Sequence, residues 1–91
     1  MSEPTSVRVV VHGRVQGVFF RDTIRSEARS RDVAGWVCNR RDGSVEAVLE
    51  GRPEDVEAMV ALCRRGPTGA SVERVDVSEE EPEGRTGFEV S

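Results

Sequence analysis

Within 91 residues the spacing of apolar side chains switches between two periods, and the order of those switches limits the folds open to the chain. Residues 6–15, SVRVVVHGRV, put Val7, Val9 and Val11 on one face and Arg8, Val10 and His12 on the other. That is a strand with a strongly apolar face, expected in the interior of a sheet. Residues 21–33, RDTIRSEARSRDV, read as a helix: Phe20, Ile24 and Ala28 mark a narrow apolar stripe, and Glu27 and Arg31 form an i,i+4 pair. GWVCN and SVEAVLEG then flank RRDG, where Asp42-Gly43 predicts a hairpin because glycine tolerates the positive φ of a tight turn. Residues 52–66, RPEDVEAMVALCRRG, carry the clearest helix signal. Pro53, Glu54 and Asp55 suit its first turn; Val56, Met59, Val60 and Cys63 fall at i, i+3, i+4 and i+7; Arg64, Arg65 and Gly66 suit its end. Residues 71–78, SVERVDVS, make a further strand with Val75 and Val77 on one face. EEEPEG reads as an exposed connection, and GFEVS as a short final strand with Phe88 and Val90 pointing the same way.

The order is β-α-β-β-α-β plus a short C-terminal strand. It predicts one α+β domain over residues 1–91, the ferredoxin-like split βαβ: a two-layer sandwich with two helices on one face of an antiparallel sheet. A chain of this length supports a single modest core. The same arrangement carries many unrelated activities, so function must be argued from a site.

Composition removes several classes of function. Seventeen acidic against thirteen basic side chains leave a net charge of −4, which disfavours nucleic acid and anionic membrane surfaces as partners. The aromatic residues are Phe19, Phe20, Trp36 and Phe88, too few for a base-stacking platform, which speaks against an RNA-binding version of this fold. No apolar run approaches the ~20 residues that span a bilayer, and MSEPTS lacks the order of a signal peptide. These features predict a cytoplasmic protein with reduced Cys38 and Cys63. Two cysteines and one histidine, none at ligand spacing, offer no metal site.

The stretch that points to chemistry is GRVQGVFFR, residues 13–21, at the junction of the first strand and first helix. A helix N-terminus carries unpaired N–H groups and partial positive charge, so Arg21 in its first turn is electrostatically misplaced, with Arg14 nearby. Two cations there make sense with an anion between them. Gly13 and Gly17 allow consecutive N–H groups to converge into an anion-binding nest, while Val15, Val18, Phe19 and Phe20 pack its other side into the core. The competing interpretation is a plain strand-to-helix turn with a solvated arginine. The stretch lacks the endings of the Walker and dinucleotide-binding motifs. Asn39, before RRDG, is ordinary turn chemistry by itself. Trp36 reads as core, His12 as structural or surface, and Cys38 points away from Asn39 by strand alternation.

GRVQGVFFR, followed eighteen residues after Arg21 by Asn39 in GWVCN and then by DGSVEAVLEG, closely resembles the acylphosphatase family, over about residues 6–90. The resemblance implies a ferredoxin-like enzyme, a monomer with a small-molecule acyl phosphate as its partner, that hydrolyses the carboxyl–phosphate bond with no metal and no organic cofactor. It implies that Arg21 binds phosphate and that Asn39 positions the attacking water. The backbone N–H groups of Val15, Gln16, Gly17, Val18, Phe19 and Phe20 would form the phosphate cradle, with the Gln16 side chain bonding loop backbone. A non-catalytic module of the same fold that binds acyl phosphate or phosphate is the alternative. Two departures stand out: Arg40 replaces the threonine that often follows the asparagine, and Asp32 stands where a glycine would cap the first helix more easily.

Overall fold

The computed structural model describes residues 3–91. Its elements run β1 (Thr5–Arg14), α1 (Phe20–Ser30), β2 (Ala34–Asn39), β3 (Val45–Gly51), α2 (Pro53–Arg65), β4 (Ser71–Glu80) and β5 (Phe88–Val90). The sheet order is β4-β1-β3-β2-β5. β3 pairs antiparallel with both β1 and β2, so those two strands run parallel with β3 between them, as the split βαβ requires. β4 adds antiparallel to β1, and β5 adds parallel to β2, making the five-stranded sheet mixed.

Sequence periodicity accounts for the core. Val7, Val9 and Val11 of β1, Val37 of β2, and Val45, Ala47 and Leu49 of β3 are buried beneath the helices. α1 contributes Phe20, Ile24 and Ala28, and α2 contributes Val56, Met59 and Cys63. Full burial of side chains such as Phe20, Ile24 and Met59 is worth about 1.5–3 kcal/mol each, so these stripes supply most of the force holding the layers together. In β4, Val72 and Val75 both pack against the core although three residues apart. A bulge opposite His12 and Gly13 shifts the register between them. Gly13 belongs to this close approach rather than to the loop beyond, since a Cβ there would lie 2.2 Å from the Ser71 carbonyl oxygen.

Trp36 is not a core residue. It alternates with the buried Val37, so it lies half-buried on the helix-free face. There the Arg8 guanidinium sits 5.6 Å from its ring centroid and pairs with Glu46 and Glu80. Arg8, Val48 and Trp36 lie side by side across three strands, which explains why Val48 is fully covered on that face.

α1 ends at Ser30, three residues short of the predicted boundary, because Asp32 adopts φ 58°. The Asp32 N–H donates to Arg29 O and the Val33 N–H to Ala28 O, the bond pair of a Schellman C-cap. Asp32 thus occupies a left-handed position that favours glycine, and its carboxylate faces the negative end of the helix dipole. Asp32→Gly should raise stability by about 1 kcal/mol. In a thermal melt that is a rise in Tm of roughly 4–8 °C; an unchanged or lower Tm would contradict the cap assignment.

The acidic connection after β4 has a structural role that its composition hides. Glu50, on β3, is buried, and its carboxylate accepts N–H donors from Glu83, Gly84 and Arg85 as well as from the Arg85 guanidinium. Burial alone would push its pKa up, but the backbone donors of Glu83, Arg85 and Gly84 and the Arg85 side chain outweigh it and hold the carboxyl below the usual range. A depressed carboxyl pKa stabilises the fold above the unfolded-state value of about 4.3 and loses that contribution as pH falls through the folded value. Glu50→Gln should cost about 2 kcal/mol in urea unfolding near neutral pH. The gap between wild type and variant should narrow below about pH 4.3; a gap independent of pH would show that the charge plays no part.

Candidate active site

The loop 15–19 leaves β1 and enters α1 under tension between core and surface. Val15 and Phe20 are buried at its two ends, and Val18 packs partly against the core. Gly17 has φ 75° with nothing within 4 Å of a notional Cβ, so its need for glycine is conformational rather than steric. Phe19 does not join the core as expected. It adopts φ 59°, ψ 25° and is 78% exposed. Because Phe20 is the first helical residue and takes the core position, the preceding residue turns outward. The Phe19 carbonyl receives Thr23 N–H at 3.0 Å and Thr23 Oγ1 at 2.9 Å.

Among the described residues no side chain caps α1. The N–H groups of its first turn therefore have no intrahelical acceptor and carry the positive end of the dipole. Arg21, second in the helix, adds a guanidinium there, and its Nη1 donates to Ser91 O at 2.7 Å. Ser91 is itself held by its N–H donating to Val37 O at 3.0 Å. Two residues beyond Val37, Asn39 closes β2 and is exposed. It pairs with Val45 of β3, which on its other side pairs with Val11 of β1.

A cleft of about 330 Å³ opens between these elements, lined by Val15, Gly17, Phe19, Phe20, Arg21, Asp22, Asn39 and Val90. Six residues predicted from sequence therefore meet there: Val15, Gly17, Phe19, Phe20, Arg21 and Asn39. Val18 instead packs inward. The Gln16 side chain turns to the β2–β3 hairpin, where Nε2 donates to Arg40 O at 2.7 Å and Ser44 O at 2.9 Å. Arg14 ends β1 opposite Ser71 and is not among the lining residues, so of the two cations expected to flank the site only Arg21 does so. Arg40 does not line the cleft either. Asp22 and Val90 line it without having been singled out from sequence. Asp22 had a signal, an acid in the first turn of a helix, whereas Val90 enters only through the parallel pairing of β5 with β2.

The remaining reactive groups lie elsewhere. Cys38, opposite Glu46, faces away from Asn39; burial, then the Glu46 charge, pushes its thiol pKa up, so it is a poor nucleophile. Burial pushes Cys63 up to about 12. His12 Nε2 lies 3.1 Å from Asp76 Oδ2, between β1 and β4. The cleft thus sets the Arg21 guanidinium and the N–H end of α1, with the Asp22 carboxylate beside them, against the neutral amide of Asn39.

Fold and cleft together define a ferredoxin-like α+β domain with a polar cleft at a helix N-terminus, lined by Arg21, Asp22 and Asn39 among others. Residues 7–90 match the acylphosphatase family model. A relative from Natronomonas pharaonis named acylphosphatase is 51% identical over 90 residues, covering 99% of this chain and 98% of its own length. Another of that name, from Thermococcus kodakarensis, is 55% identical over 80 residues and 88% of each chain. The crystal structure of acylphosphatase from Bacillus subtilis superposes with a TM-score of 0.91 at 38% identity, over 96% of this chain and 98% of that one. The chain belongs to the acylphosphatase family, enzymes that hydrolyse acid anhydrides.

The left-handed backbone at Phe19 costs an L-residue about 1–2 kcal/mol. With so little of its ring buried, Phe19→Gly should raise Tm, by roughly 4–8 °C for a gain of about 1 kcal/mol. A lowered Tm would mean that the exposed ring makes contacts that outweigh the backbone strain.

Proposed function

We propose that the cleft hydrolyses acyl phosphates, with Arg21 and the backbone N–H groups of residues 15–20 holding the phosphoryl oxygens and Asn39 orienting the attacking water. The observation that carries this reading is that Arg21, the uncapped start of α1 and Asn39 line one cleft. The water oxygen bonds to phosphorus as the bond from phosphorus to the acyl oxygen breaks. The leaving group is a carboxylate whose conjugate acid has a pKa near ~4, so it departs without a general acid. The proton released by water passes to a phosphoryl oxygen, giving a carboxylate and inorganic phosphate.

In a loose phosphoryl-transfer transition state the protein mainly holds charge and aligns the nucleophile. The Arg21 fork and fixed N–H dipoles provide the first without reorganising. The Asn39 amide offers both an acceptor and a donor for water, and it is too weak a base to deprotonate it. This division of labour needs no catalytic histidine, cysteine or serine.

The test is hydrolysis of benzoyl phosphate without added metal, with inorganic phosphate as a competitive inhibitor. Arg21→Gln and Asn39→Ala should each lower kcat/KM by about 100-fold or more, the scale seen when a charge-stabilising donor is removed. Arg21→Gln should also weaken phosphate inhibition, whereas Asn39→Ala should leave it nearly unchanged. Wild-type rates in both variants would overturn the reading; saturable phosphate binding with no turnover would assign the fold to a non-catalytic anion-binding module.

A further inference from the structure

The two halves of the cleft come from strands that do not touch. Residues 15–19 follow β1 and Asn39 ends β2, with β3 between. The last ladder rung shared across the three strands is Val11–Val45–Asn39. Beyond it β1 continues to Arg14 against β4 alone, so pairing through β3 no longer sets the separation of the loop and the hairpin.

One side chain bridges that gap. Gln16 Nε2 has two N–H groups, and both are used, on Arg40 O at 2.7 Å and Ser44 O at 2.9 Å. These two carbonyls sit at the two ends of the hairpin turn. Ser44 O also accepts the Arg40 N–H at 2.8 Å, and Arg40 O the Gly43 N–H at 3.2 Å. The turn is stiff on its own account: Asp42 Oδ1 accepts both the Ser44 N–H and its hydroxyl, and Ser44 is buried. Arg40 directly follows Asn39. The Gln16 amide therefore grips a rigid turn at the carbonyl of the residue after Asn39, while the Gln16 backbone belongs to the loop that begins at the buried Val15.

We infer that Gln16 is a positioning residue, fixing Asn39 at the distance from the loop that the water attack needs. The inference rests on the acyl phosphate hydrolysis proposed above. The Gln16 side chain acts through Asn39 and not on the phosphoryl group, whose contacts are Arg21 and backbone N–H groups, that of Gln16 among them. It also accounts for how the site works with Arg40 after the asparagine: the Arg40 carbonyl, which every residue type supplies, carries the contact.

The test uses Gln16→Met, which keeps length and removes both donors, and Gln16→Glu, which sets a carboxylate against two carbonyls. Each should lower kcat on benzoyl phosphate by about 10-fold or more, since small misplacements of reacting groups cost up to about 100-fold. Inorganic phosphate inhibition should change by less than about two-fold if the cradle is intact. In an Asn39→Ala background Gln16→Met should cost less than about two-fold, because two residues acting as one unit are not additive. An undiminished loss in that background, a matching loss of phosphate inhibition, or a wild-type kcat in both Gln16 variants would overturn the inference. Amide hydrogen exchange keeps the outcome separate from the activity itself. Faster exchange at the Arg40 and Gly43 N–H groups in Gln16→Met supports the clamp even if the wild type hydrolyses nothing, and unchanged exchange contradicts it.

Discussion

The position of β3 is the constraint on which the rest depends. By pairing antiparallel on both sides it holds β1 and β2 parallel, with their C-terminal ends at the same edge of the sheet. Strands lie about 4.8 Å apart, so Asn39 stands about 10 Å across the sheet from Val11, and β1 runs on to Arg14 before the loop begins. α1 must start at the end of β1, which brings its dipole to the same edge. A loop, a helix end and an asparagine therefore converge because of one strand's place in the ladder, and that strand supplies none of the cleft's lining residues.

A second chain of contacts orients Arg21. β5 lies beside β2, and Ser91 beyond it is bonded to Val37 and to the Arg21 guanidinium. β5 reaches that place through a connection whose backbone is gripped by Glu50. Phe88 anchors the strand in the core, and Arg29 of α1 donates to its carbonyl at 3.2 Å. The segment that brings Ser91 to Arg21 is thus itself anchored by the buried Glu50 carboxylate and by Phe88. A long, flexible arginine side chain loses rotamer freedom when held, and the Ser91 contact means that part of this loss is met before any anion binds.

Much of the architecture was legible in the sequence. Period-two and period-3.6 patterns located every element, and the Pro53 and Gly66 signals bounded α2 closely. Strand alternation was informative even where it was not followed through: it places Trp36 opposite Val37, hence on the outer face. What was not legible depends on contacts between distant residues. Glu50 meets Arg85 across 35 positions, and Arg21 meets Ser91 across 70. Neither leaves a local pattern, and the EEEPEG connection looked merely solvated. Left-handed backbone at Asp32 and Phe19 was unequally visible. The first could be anticipated as a cap where glycine fits better. The second could not, because a phenylalanine next to a core phenylalanine looks like more core.

The proposed hydrolysis comes down to one chemical claim: water is delivered to phosphorus, not to the acyl carbon. A cradle of N–H groups with an arginine suits three phosphoryl oxygens better than a planar carbonyl. Hydrolysis of benzoyl phosphate in oxygen-18 water tests it directly, by mass spectrometry of both products after a single turnover. The account predicts label in inorganic phosphate and none in benzoate. Label in benzoate would mean attack at carbon, and would contradict a phosphate-holding role for the loop and Arg21 and a water-orienting role for Asn39.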